Sequence, residues 1–342
     1  MNLSPIILPS NQFDHFYRGG YRIGELRNGP GGPMRPEEWI GSATTRFGEK
    51  TMGLSTLPNG EYLRDAIGAD PESWFGPEHV NAFGTSTEIL VKLLDPDQRL
   101  PVHYHPNKAF AKKHLALDHG KTEAWIILEA PAGANVGLGF NTELKKSDVS
   151  KMVDARDADG LLASLQKFDV KAGDTVFVPA GTPHAIGAGI FVLELQEPTD
   201  LSALLEWNDF AVDGAKDGHL GLGFDTVLDA LRYTPIDKEE ASKLVFSNRL
   251  FSGADQSVFT AVADPYFRAD YLAGKASKIA AGFSIALILE GNGNITFENH
   301  SEISAAKGDA ILIPHSAGSW ILNGASGVVC RPPLAKDAPL AW

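Results

Sequence analysis

The 342-residue chain carries a single cysteine, Cys330, so it has no intrachain disulfide. That usage fits a reducing compartment. The opening residues, MNLSPIILPSN, show neither a charged leader nor an extended apolar core, and together the two features read as cytoplasmic. Long apolar runs are missing as well: none approaches the roughly 20 residues that a membrane helix needs. Cations are scarce, with 30 Lys and Arg against 43 Asp and Glu, a net charge of −13. A surface of that sign repels nucleic acid and anionic lipid, so neither is an expected partner. An anionic ligand would require a local cluster of cations. The rest of the composition is ordinary for a globular protein, 43% apolar and 21% charged, and the length allows two units with cores of their own.

What the chain does have is punctuation. Its 35 glycines and 21 prolines fall at the ends of short apolar runs, the texture of many strands joined by turns. Residues 1–85 are rich in turns, with short helices expected around Glu61–Ile67 and Pro71–Trp74. Buried strands are expected at Ile89–Leu94, Glu123–Glu129, Asp174–Val178 and Ile190–Leu195. Leu144–Lys167, Leu201–Trp207 and Thr226–Tyr233 have charged and apolar residues at helical spacing. A second strand-rich block begins near Ala241. There Phe283–Glu290 leads into Gly291-Asn292-Gly293-Asn294, a hairpin-turn candidate, and Lys307-Gly308-Asp309 precedes the run Ala310–Ile313. The Gly-Asp before that strand echoes Gly173-Asp174. The expected fold is mainly β: two barrel-like units, residues 1–240 and 241–342, with a helical insertion between them.

His103-Tyr104-His105 places two imidazoles on one face of a strand, within reach of a single ion. Glu123 follows eighteen positions after His105 and opens an apolar strand. His184 closes Gly173-x5-Pro179-x-Gly181-x2-His184. In that order the four resemble the two signatures of the cupin superfamily, so both units are expected to be jelly-roll barrels. Three imidazoles and one carboxylate suit zinc, and also manganese, iron, cobalt or nickel. A His-x-His pair alone is more often two solvated histidines; the rest of the set argues against that. In the second block Gly308-x5-Pro314 survives, but Ser316 and Ser319 stand where the glycine and histidine would be. The second unit is therefore expected to be metal-free.

Over most of its length the sequence resembles the type I mannose-6-phosphate isomerase family. The similar elements are Arg18-Gly19-Gly20, Glu37-Glu38-Trp39-Ile40-Gly41-Ser42, Gly120-Lys121-Thr122-Glu123-Ala124-Trp125 and Val178-Pro179-Ala180-Gly181-Thr182-Pro183-His184-Ala185-Ile186. The resemblance implies a zinc-dependent aldose–ketose isomerase acting on a small sugar or sugar phosphate, first of all mannose 6-phosphate and fructose 6-phosphate, through an enediol. It implies His103, His105, Glu123 and His184 as metal ligands, although the family has glutamine at the first of these. It also implies Lys92, Lys121 and Glu194 as pocket residues. Lys92 interrupts an apolar run, which is costly unless its ammonium meets a polar cavity.

Two positions depart from the family pattern. Leu204 stands where the family has arginine, and Pro101 where it often has serine; both changes remove groups suited to phosphate. Lys108, Lys112 or Lys113 are the nearby cations that a shifted loop could supply. The alternatives are an isomerase of an unphosphorylated or otherwise modified sugar, a cupin oxygenase, and a non-catalytic sugar-binding cupin. Nothing in the sequence fixes the oligomeric state.

Overall fold

A computed structural model describes residues 3–337; the outermost positions of the two expected units, 1–2 and 338–342, lie outside the described residues. The architecture is mainly β, in three antiparallel sheets. A six-stranded sheet runs in the order Val245–Phe246, Thr175–Val178, Glu123–Glu129, Phe191–Gln196, Leu90–Leu94, Glu37–Ile40. A five-stranded sheet runs Ala203–Leu204, His103–Tyr104, His184–Ile186, Asn135–Phe140, Leu165–Asp169. The third, eight-stranded, is built around the long strands Ser284–Phe297 and Trp320–Arg331.

The register of the six-stranded sheet decides what the site contains. Trp39 lies opposite Lys92, Lys92 opposite Glu194, and Glu194 opposite Trp125. Residues directly opposite one another in an antiparallel sheet point to the same side. One row across four strands therefore presents two indoles, an ammonium and a carboxyl to a common face. The period of two adds Glu37 and Glu123 to that face. In the five-stranded sheet Leu204 lies opposite His103, and His103 opposite His184.

The seventeen residues between His105 and Glu123 hold the helix Lys108–Leu115, started by the Asn107 side chain, which accepts from the Phe110 N–H at 2.9 Å. A further helical segment, Lys146–Ala155 and Ala158–Ser164, lies between Asn135–Phe140 and Leu165–Asp169. The eight-stranded sheet is joined to the rest by more than the linker. Ile6–Ile7 pairs with Ala310–Ile313, and one apolar cluster runs from Val91 and Trp125 through to Ile285, Leu312 and Val328. Arg27 bonds Glu38 through Nε at 3.0 Å and donates to the carbonyls of Leu8 and Gly308.

Two local expectations fail and a third holds only in part. Leu201–Trp207 is not helical: Ala203–Leu204 is a strand paired with His103–Tyr104. Leu201, Ala203, Leu204 and Leu205 are all buried, so their spacing carries no period that separates strand from helix. Gly291–Asn294 does not turn. The strand continues from Ser284 to Phe297, with irregularities between Ile288 and Glu290 and again between Gly291 and Asn294. Gly291, at φ 79°, serves a bulge there. In Thr226–Tyr233 helical structure stops at Ala230: the helix Phe224–Val227 ends two residues into the segment and the 3-10 turn Leu228–Ala230 follows it.

Candidate metal centre

Three imidazoles meet where the five-stranded sheet faces the row on the six-stranded one. Ring nitrogens of His103, His105 and His184 lie within 4.8 Å of one another, and all three residues are buried. Each ring is held through Nδ1 by a main-chain carbonyl: Pro101 at 2.8 Å for His103, Leu201 at 2.6 Å for His105, Thr182 at 2.8 Å for His184. Gly181 supports this corner. It sits at φ 85°, a conformation a side chain would strain, and its N–H donates to the His105 carbonyl at 2.6 Å.

A carbonyl oxygen only accepts, so each Nδ1 carries the proton. Burial holds His105 and His184 down at about 3 and His103 well below its ordinary value, so the rings are neutral and each Nε2 is a bare lone pair. Those lone pairs converge. His184 Nε2 is 3.0 Å from His103 Nε2, and the Glu123 carboxylate lies 2.9 Å from His105 Nε2 and 3.3 Å from His184 Nε2. Acceptors this close repel unless a cation is shared among them. The donor set and its fixed tautomers thus fit a divalent metal ion.

Lys121 Nζ flanks the cluster, 3.1 Å from both Glu123 Oε2 and His105 Nε2. Burial opposes the Glu123 charge, but the Lys121 ammonium leads the influences that outweigh it, and the carboxyl is held well below its ordinary range. Trp125 links the cluster to the next carboxyl: its indole N–H donates to Glu123 Oε1 at 3.0 Å and to Glu194 Oε2 at 3.2 Å. Burial and the Glu123 charge push Glu194 upward. Lys92, 2% exposed, has Glu37 at 3.4 Å, Asp200 at 3.6 Å and Glu194 at 3.9 Å, and stands 4.3 Å from the centroid of the Trp39 indole ring. Burial disfavours its charge, but Glu37, Asp200 and Glu194 outweigh that and raise its pKa.

The structure brings all seven residues read from the sequence into one place. Lys92, His103, Lys121, Glu123 and Glu194 line a cavity of about 510 Å³, with His105 and His184 behind them. Lys108, Lys112 and Lys113 are not among its lining residues, whereas Arg46 and Lys216 are. Sequence reasoning missed Glu37 and Asp200 as partners of Lys92. The signal for Glu37 was slight: it stands two residues before Trp39 in a strand, Glu37–Ile40, that carries a second glutamate, Glu38. Asp200 carries no comparable mark.

The fold and this cluster define a cupin with side chains able to hold a metal ion. No family model matches the chain. Individual proteins do. It is 30% identical over 278 residues to the mannose-6-phosphate isomerase of Streptococcus mutans, covering 80% of this chain and 82% of that one. It is 29% identical over 283 residues to the mannose-6-phosphate isomerase ManA of Bacillus subtilis, covering 81% and 85%. The solved structure of a Bacillus subtilis mannose 6-phosphate isomerase superposes with a TM-score of 0.75 over 96% of this chain and 99% of that one, at 23% identity. A mannose 6-phosphate isomerase bound with zinc and yttrium gives a TM-score of 0.70 at 15% identity, over 97% and 100%. The chain belongs to the mannose-6-phosphate isomerase family.

Proposed function

We propose that this protein is a metal-dependent aldose–ketose isomerase, with His103, His105, Glu123 and His184 holding the ion. The observation that carries the reading is the convergence of three bare Nε2 atoms and a carboxylate, each imidazole locked by its Nδ1 bond. Zinc fits the donor set best and is one of the two ions named for a structural relative. When bound, the ion supplies Lewis acidity, polarising a carbonyl oxygen and stabilising negative charge on it.

The chain's own groups supply the rest. Isomerisation moves a proton between adjacent carbons through an enediol, so a base must take the proton and return it. Glu194 is suited to that, because burial and the Glu123 charge bring its pKa up toward neutrality, where a base works best. Trp125 holds Glu194 and Glu123 in fixed relation. Lys121 is placed to stabilise charge on the sugar oxygens, and Lys92 to balance the carboxylates around it. Residues 1–240 form the catalytic unit in this reading, with 241–342 a metal-free second unit that buttresses it. The ligand is a small sugar. Among the described residues no helix is long and apolar enough to cross a membrane, and the lone cysteine supports a cytoplasmic setting.

The test is turnover of the metal-reconstituted protein in D2O. An isomerase interconverts aldose and ketose and puts deuterium on the carbon beside the carbonyl. Consumption of dioxygen with no isomerisation would instead identify a cupin oxygenase.

A further inference from the structure

The cavity's charge and lining bear on which sugar enters it, an inference that rests on the isomerase reading above. Its lining contains four cations, Arg46, Lys92, Lys121 and Lys216, against six carboxylates, Glu37, Glu49, Glu123, Glu194, Asp200 and Asp217. The two buried cations are committed: Lys92 stands among Glu37, Glu194 and Asp200, and Lys121 lies against Glu123 and His105. Arg46 is half-buried and Lys216 exposed, and Glu49 and Asp217 line the same cavity. With every carboxyl ionised, a divalent ion at the histidines would bring this total to neutrality. A phosphate dianion would enter with two negative charges and find both buried cations already paired, with only the outer Arg46 and Lys216 to receive it, in a protein whose net charge is already −13.

The wall beside the histidines is apolar. Leu204 pairs in register with His103, and Pro101 precedes His103 by two residues; both are buried. Leu100, Ile186, Val212 and Leu220 complete this side of the cavity. A sugar whose carbonyl end meets the histidine cluster lays its carbon chain along that wall. Apolar side chains there can pack against C–H faces or a deoxy carbon. They offer no donor to phosphate oxygens.

We propose that the substrate is an uncharged aldose or ketose, without phosphate, and that Leu204 and Pro101 set this preference. The experiment compares kcat/KM of the metal-loaded protein on free mannose, lyxose and 6-deoxymannose with that on mannose 6-phosphate. Calorimetry on the same sugars gives a readout apart from turnover. The expected result is at least a tenfold preference for one or more free sugars, with inorganic phosphate causing no inhibition. A companion variant, Leu204→Arg, puts a guanidinium on the wall and is expected to shift the ratio toward mannose 6-phosphate. If that variant does not fold, the wild-type comparison decides alone. Equal or greater efficiency on mannose 6-phosphate, or its tighter binding, overturns this inference and leaves the isomerase standing. No turnover of any of these sugars with metal bound removes the isomerase itself.

Discussion

Lys92→Met removes the one cation at the centre of a buried acidic cluster. Methionine keeps the apolar length of the side chain and its contact with Trp39, so packing changes little. What goes is the ammonium within 3.9 Å of Glu37, Asp200 and Glu194. Breaking a buried ion pair by deleting one partner costs about 3–5 kcal/mol, roughly 10²- to 10⁴-fold in the folded-to-unfolded ratio. Tyr17 and Trp39 still donate to Glu37, at 2.7 Å and 2.8 Å, which favours the lower end. The sign with pH follows from the shifts. Lys92 has its folded pKa raised above 10.5, so its contribution is complete below that value and is lost only as pH rises through the higher one. In the variant the carboxylates lose their counter-charge and their pKa values move up. Groups raised in the fold favour it at low pH and lose that advantage as pH rises. The deficit of Lys92→Met is therefore larger at about pH 8 than at about pH 5. Urea unfolding of both proteins, followed by tryptophan fluorescence at the two pH values, measures it. A loss below about 1 kcal/mol at both, the size of an ordinary substitution, would refute the argument that this ammonium is the cluster's counter-charge.

Trp125→Phe keeps the ring in place but removes the N–H shared by Glu123 and Glu194; metal affinity is expected to fall about 10- to 100-fold, as for other outer partners of metal ligands, which a competitive chelator titration reads. Glu194→Gln is expected to lower kcat by about 10²- to 10⁴-fold with metal content unchanged. Because burial and the Glu123 charge raise the Glu194 pKa, wild-type activity climbs as pH rises through a value above the ordinary carboxylate range, and that limb disappears in the variant. A wild-type limb at an ordinary carboxylate pKa would contradict this. Arg27→Met strands the buried Glu38 and removes bonds to Leu8 and Gly308, costing about 3–5 kcal/mol in unfolding measurements.

The parts of the site that could be read from the sequence were those whose chemistry leaves a local pattern. His103 and His105 sit two apart on a strand, and His184 lies in a glycine-proline corner that only a particular backbone satisfies. Lys92 stood out because an ammonium within Ile89–Leu94 needs a polar partner. The partners themselves were less visible. Glu37 and Glu194 reach Lys92 through cross-strand register, Trp39 to Lys92 to Glu194, and register is a property of pairing, not of any one segment. Asp200 arrives from a connection with no regular spacing at all. The same physics explains the two misread segments. From Ala203 to Trp207 every side chain is buried, so neither helical nor strand periodicity shows. At Gly291–Asn294 glycine and asparagine satisfy a bulge as well as a turn, and the pairing of this stretch with Ile303–Ala306 on one side and Trp320–Arg331 on the other decides between them. The helix Lys108–Leu115, which widens the interval between His105 and Glu123, changes the spacing of the cluster without disturbing its geometry.

The most direct measurement follows metal content and aldose–ketose turnover together while a chelator strips the protein and zinc is returned. The account predicts one divalent ion per chain, activity that falls in proportion as the ion leaves and recovers as it is restored, and no retained ion in His184→Ala. Full activity after complete removal, or an unchanged metal content in His184→Ala, would contradict it.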